Sequence, residues 1–265
     1  FITYESDRYY FFDNFFRMSL NLEPVDSLYI IVELDQSYTI DELNDHFLEE
    51  TSKYLDIFTS DQYYSPEYSD GIIKALYSKS LIYMDRGEQI AAEKDLVDIL
   101  QYDVDETMKR DIYIHLAQIN EGFDNYARAE QYYKNASEYA NDDTEREQIL
   151  NNSRAQIERM ASSLAADSSY VDAALEYLRL AEELRESDRD MYIGYKREAV
   201  DAYIKAGQYQ DAIDVLMSLN EVLTGIEESF ALYNRAWNIA DTLMTNSSLV
   251  TRLQQEYIDL YPGSN

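Results

Sequence analysis

From residue 71 onward, apolar side chains recur at spacings of three and four. Ile112, Leu116, Ile119 and Phe123 form one such stripe, the signature of a helix with one buried face. The same periodicity predicts ten helices: 71–86, 88–101, 106–122, 125–140, 143–166, 169–186, 190–206, 209–223, 227–244 and 248–260. Short polar turns separate them. Gly87, Asn125, Ser168 and Gly207 each fall between the two helices of a pair, where a tight turn favours such residues.

The first 70 residues read differently. Helices are expected at about 5–19, 25–34 and 40–58, the last capped by Thr39 or Asp41. In the second, Tyr29, Ile30, Ile31 and Val32 have strand propensity. A short apolar run cannot be typed by periodicity alone, and helix is preferred because no pairing strand lies nearby. The stretch from Ser65-Pro66 to Gly71 marks the boundary between residues 1–70 and 71–265.

Composition agrees with an all-helical chain. Gly and Pro total 10 of 265 residues, under a third of the usual combined share of about 12%. That is too few for an all-β fold or a phosphate-cradling α/β fold. The absence of Cys removes disulfides, zinc-thiolate sites and thiol catalysis. No apolar run is long enough for a membrane-spanning helix.

The charge narrows the partners. The chain carries 52 Asp plus Glu against 22 Lys plus Arg, a net charge of −30, so nucleic-acid binding is not expected. Only 8 of the cations are Lys; an ordinary acidic protein and a protein of a high-salt habitat both fit. Lack of Cys slightly favours a bacterial periplasm or cell envelope over the cytoplasm. The chain begins with Phe1, as expected of a fragment or processed form.

Four segments align on one pattern: 76–100, 113–137, 157–181 and 196–220. Each has a small or slim residue midway along its first helix: Ser80, Ala117, Ala161 and Val200. Each has an alanine early in its second helix, at Ala92, Ala129, Ala173 and Ala212. A larger residue follows four positions later, at Leu96, Tyr133, Tyr177 and Leu216. Antiparallel helices approach closely only where small residues sit at their crossing.

This pattern resembles the tetratricopeptide repeat (TPR) family. The interval between equivalent alanines is 37, 44 and 39 residues, longer than the usual 34, and no Pro closes a repeat. The resemblance implies an all-α, TPR-like α-solenoid, a right-handed superhelix of antiparallel helix pairs with a helical N-terminal cap region. Its repeats would span about 71–102, 106–141, 143–187, 190–224 and 227–261. It further implies a concave groove lined by first helices. Projected onto this sequence, the groove takes Tyr77, Leu81 and Met84; Ile114, Gln118 and Glu121; Glu158; and Arg197, Asp201 and Lys205. Some members grip a peptide's terminal carboxylate with Lys, Asn and Arg. The matching positions here, Ile114, Gln118, Glu158 and Arg197, do not reproduce that clamp.

No catalytic constellation is legible. His46 and His115 belong to no metalloprotease motif, and no cofactor is implied. The carboxylate clusters at 103–106, 142–147 and 188–190 lack EF-hand spacing and sit at helix starts, where they cap backbone N–H groups. Tyr83, Tyr133, Tyr177 and Tyr203 are expected as packing residues. Residues 1–70 hold 16 of the 36 aromatics together with a net charge of −13. Tyr9, Tyr10, Phe12 and Phe16 form either a tightly packed cap or a docking surface. The expected function is noncatalytic: a scaffold or adaptor binding a basic or amphipathic peptide or partner helix, as in a bacterial envelope or motility assembly. A peptide-sensing regulator and a self-assembling protein are the alternatives.

Overall fold

The structure, a computed structural model, describes residues 39–60, 66–223 and 225–262. Helices α1 (Ile40–Phe58), α2 (Ser69–Asp85), α3 (Gln89–Ile99), α4 (Glu106–Gly122), α5 (Tyr126–Ser137) and α6 (Asp143–Ala166) come first. They are followed by α7 (Tyr170–Leu184), α8 (Arg189–Lys205), α9 (Tyr209–Ser218), α10 (Ile226–Asn238) and α11 (Ser247–Leu260). Among the described residues, short 3-10 turns at Pro66–Tyr68 and Leu219–Glu221 and a π-helical turn at Ile239–Leu243 complete the elements. No strand occurs among the described residues, so the fold is all-α. The helices expected at 5–19 and 25–34, the ambiguous run 27–34, and Tyr9, Tyr10, Phe12 and Phe16 lie outside the described residues.

The acidic helix starts are caps. Thr39 Oγ1 accepts from Glu42 N–H at 3.2 Å while the Glu42 carboxylate accepts from Thr39 N–H at 2.8 Å, a reciprocal capping box. Asp142 accepts from Glu145 N–H at 2.8 Å. Asp188 accepts from Asp190 and Met191 N–H groups at 3.1 and 3.0 Å, and Asp105 from Met108 N–H at 2.9 Å. Each bond satisfies a backbone donor that has no partner inside the helix.

Five turns within helix pairs share one construction. Three residues join the helices, and the middle one is left-handed: Gly87 (φ 73°), Asp124 (54°), Ser168 (64°), Gly207 (74°) and Thr245 (50°). In the first four, the next residue donates its N–H five positions back: Glu88 to Tyr83, Asn125 to Asn120, Ser169 to Leu164, Gln208 to Tyr203. The left-handed residue itself donates three back, as Gly87 does to Met84 and Gly207 to Ile204. This pair of bonds closes the end of the first helix. In the fifth turn Asn246 reaches six back, to Ala240, because the π-helical turn has taken up one extra residue. The sequence pointed to Asn125 in the second turn. The left-handed position is Asp124, and Asn125 instead donates its side-chain amide to Asn120 Oδ1 at 3.2 Å.

The repeated small residues occupy the tightest places. Ser80, Ala117, Ala161 and Val200 are closed to solvent, as are Ala92, Ala129, Ala173 and Ala212. Leu96, Tyr133 and Leu216 are buried beside them. Tyr203 is also buried, whereas Tyr83 and Tyr177, expected as packing residues, remain half-buried. Several helices stop short of the spans that the periodicity suggests: 88–101 ends at Ile99, 125–140 at Ser137, the α-helix of 209–223 at Ser218, and 227–244 turns π-helical at Ile239.

The chain forms two compact units. One runs to Ile119 and takes in Glu138–Asn141; the other holds Asn120–Ser137 and everything from Asp142. In the first, α1 packs on α2 and α2 on α3, with Lys79 and Asp95 paired at 3.6 Å between α2 and α3. Burial raises the Asp95 carboxyl, and the Lys79 charge opposes that rise. In the second, each helix from α5 to α11 packs on the next, the consecutive packing of an α-solenoid. Its core runs from Ala174 to Tyr257, with Ile213, Leu219 and Leu253 almost fully buried. Each such side chain contributes about 1.5–3 kcal/mol by leaving water.

Candidate functional site

Two of the expected groove residues of the first unit, Tyr77 and Gln118, are linked through His115. Tyr77 Oη lies 3.3 Å from His115 Nε2, and His115 Nδ1 lies 3.3 Å from Gln118 Oε1. Which ring nitrogen of His115 donates depends on its tautomer. Burial, and then the Asp111 charge, pushes the Tyr77 hydroxyl above its ordinary pKa. Leu81 is exposed, and Met84 and Ile114 are half-buried.

In the second unit the expected groove residues divide. Glu121 ties helices together. It accepts from Tyr133 Oη at 3.0 Å, from the buried Gln156 amide, and from Arg159 at 2.7 Å. Burial, reinforced by the Glu121 charge, raises the Tyr133 hydroxyl strongly. Asp201 pairs with Arg235 of α10. Lys205 sits 5.9 Å over the Tyr170 ring, and Arg197 is exposed.

Glu158 opens onto a cleft. Its walls are Glu158 of α6, Tyr177 of α7, and Asp190, Met191, Gly194, Tyr195 and Glu198 of α8; its volume is about 620 Å³. The α8 residues recur at helical spacing and share one face. Tyr177 and Tyr195 stack with ring centroids 6.4 Å apart and planes at 17°. Tyr195 rests on buried Ile157, Leu180 and Leu184, which fixes the aromatic floor. Tyr195 Oη donates to Glu158 at 3.4 Å. Its pKa is raised by burial first, then by the Glu158 charge and that hydrogen bond. Three carboxylates and no cation line the space. A Cβ added at Gly194 would meet nothing within 4 Å, so the wall is open there.

Sequence reasoning reached Glu158 and assigned Tyr177 to packing. It placed Asp190 in the capping cluster at 188–190 and did not assign Met191, Gly194, Tyr195 or Glu198 to a site. The signal was present in the glycine inside a well-formed helix and the acidic pair flanking a tyrosine. Among the described residues, no three His, Asp or Glu side chains converge as metal ligands, and no helix is long and apolar enough to cross a membrane.

No family model matches the chain, and no curated protein matches it. Among solved structures, it is similar to one described as the crystal structure of BtubC (BKLC) from P. vanneervenii. That similarity amounts to 12% identity over 84% of this chain and 91% of that chain, with a TM-score of 0.28. So low a TM-score carries no argument about function.

Proposed function

We propose that this protein is a noncatalytic, TPR-like interaction module that binds a basic or amphipathic segment of another protein. The observation that carries the reading is the cleft in the second unit, where a stacked tyrosine pair and three carboxylates face solvent with no cation among them. Repeated helix hairpins supply rigid walls for such a surface. The strong negative charge favours positively charged partners by steering and by complementarity. Cys absence slightly favours a bacterial periplasm or cell envelope, and Lys depletion fits a high-salt setting.

The test is a panel of fifteen-residue amphipathic peptides of net charge +4, 0 and −4, titrated into the full chain and followed by calorimetry. Saturable 1:1 binding confined to the basic peptides is expected. Absence of saturable binding across the panel, or preference for the acidic peptides, refutes the reading.

A further inference from the structure

We infer that the cleft lined by Tyr177, Tyr195, Glu158, Asp190, Glu198 and Gly194 is a pocket for an arginine side chain of the bound segment. This rests on the interaction-module reading and specifies what one site in it recognises.

Four features point to a planar organic cation. The volume of about 620 Å³ lies within the range of ligand pockets, 300–1,000 Å³. It accommodates a long side chain with the backbone that carries it. The near-parallel Tyr177 and Tyr195 rings offer flat faces on which a guanidinium stacks. Glu158, held at the edge of the Tyr195 ring by the phenol, is placed for the two-pronged contact that arginine makes with carboxylates. Asp190 and Glu198 add negative charge from α8. Among the described residues, these carboxylates do not converge as metal ligands do.

The fourth feature is Gly194. Glycine inside a helix is unfavourable relative to alanine, and no neighbour demands its small size, because an added Cβ would stand in open space. What the missing side chain leaves is room in the cleft. The chain's own nearby cations do not fill it. Arg189 bonds the Val222 carbonyl at 3.1 and 3.2 Å, pairs with Glu228 at 3.6 Å and reaches Asp190 only at 3.9 Å. Lys196 is buried against Glu182 at 3.1 Å.

The test uses three blocked nine-residue peptides, identical except for a central arginine, lysine or citrulline, titrated by calorimetry at 20 and 200 mM NaCl. The arginine peptide is expected to bind at least tenfold more tightly than the citrulline peptide and several-fold more tightly than the lysine peptide. Gly194→Leu, which fills the cleft, should abolish binding. Glu158→Gln combined with Glu198→Gln should weaken it at least tenfold, each variant keeping the parent circular dichroism. Gly194→Ala serves as the variant certain to fold and should weaken binding only slightly. Equal affinity for arginine and citrulline, or for arginine and lysine, overturns the inference. So does unchanged binding in Gly194→Leu. If the basic amphipathic panel binds with the same affinity to wild type and both cleft variants, the pocket assignment falls and the interaction module stands. If no peptide of either set binds, the interaction module falls as well.

Discussion

Arg179 of α7 grips Glu130 of α5 with both terminal nitrogens, one to each carboxylate oxygen. Lys134 adds a third contact at 2.8 Å, and the Glu130 side chain is only 10% exposed. Burial alone would raise the Glu130 carboxyl. The hydrogen bonds from Arg179 and Lys134 outweigh it and hold the pKa below its ordinary 4.5. A depressed carboxylate pKa stabilises the fold above the unfolded value and loses that contribution as pH falls through the folded value. Glu130→Gln is therefore expected to cost about 3 kcal/mol at pH 7, the lower end for breaking a buried pair, since Arg179 is partly in water. It should also flatten the fall in stability below about pH 4.3. Urea unfolding followed by circular dichroism, at pH 7 and across pH 5 to 3, checks both. As a reference, Glu256→Gln, which breaks the exposed pair with Arg252, should leave the midpoint unchanged. A Glu130 variant as stable as that reference would contradict the account.

The crossing alanines make a second prediction. Ala173 is closed to solvent in α7, whereas Ala231 on α10 is exposed. Ala173→Leu should destabilise by about 1–3 kcal/mol through overpacking, and Ala231→Leu by less than about 0.5 kcal/mol. Thermal midpoints of the two variants, measured side by side, decide; equal midpoints would mean that the alanine is not a crossing residue.

The left-handed turns predict opposite signs for glycine substitutions. Gly207 has φ 74°, so Gly207→Ala should cost about 1 kcal/mol. Thr245, β-branched at φ 50°, carries strain that Thr245→Gly should relieve by about 1 kcal/mol. Gly194 lies inside α8 with open space at its Cβ, so Gly194→Ala should gain about 0.5–1 kcal/mol. Chemical denaturation midpoints test the series. A gain in Gly207→Ala would refute the turn assignment.

Net charge sets the fourth prediction. With 52 acidic against 22 basic residues, self-repulsion outweighs the mostly exposed ion pairs, each worth at most about 1 kcal/mol. Salt shortens the screening length from about 30 Å at 0.01 M to about 3 Å at 1 M. The thermal midpoint should therefore rise steadily with NaCl over that range. A midpoint that falls with salt would mean that the ion pairs dominate.

How much of the fold was legible depends on which interactions are local. Caps at Thr39, Asp142 and Asp188 are contacts over two or three residues, so the acidic helix starts could be read directly. The turn positions could be read too. Gly87, Ser168 and Gly207 read as turn residues and are left-handed, but in the other two turns the left-handed residue, Asp124 or Thr245, could not be picked out, because neither carries the glycine signal. The π-helical turn after Asn238 has no local marker. In the cleft, Glu158 followed from the repeat. The stripe chosen on α8, Arg197, Asp201 and Lys205, runs roughly 50° around the helix from the observed one, at 3.6 residues per turn. Which face of α8 opens onto space depends on how α6 and α7 approach it, and that is a nonlocal property.

Helix α6 has 24 residues where α2, α4 and α8 have 17 each. The surplus of seven advances a helix by nearly two whole turns, leaving a rotation of only about 20°. The stripe of Ile149, Ser153, Gln156 and Ile157 thus keeps its bearing despite the added length. Length in this hairpin is quantised: excising seven residues from α6 preserves phase, whereas excising five swings the buried face toward solvent and exposes the same side chains that an intact hairpin hides.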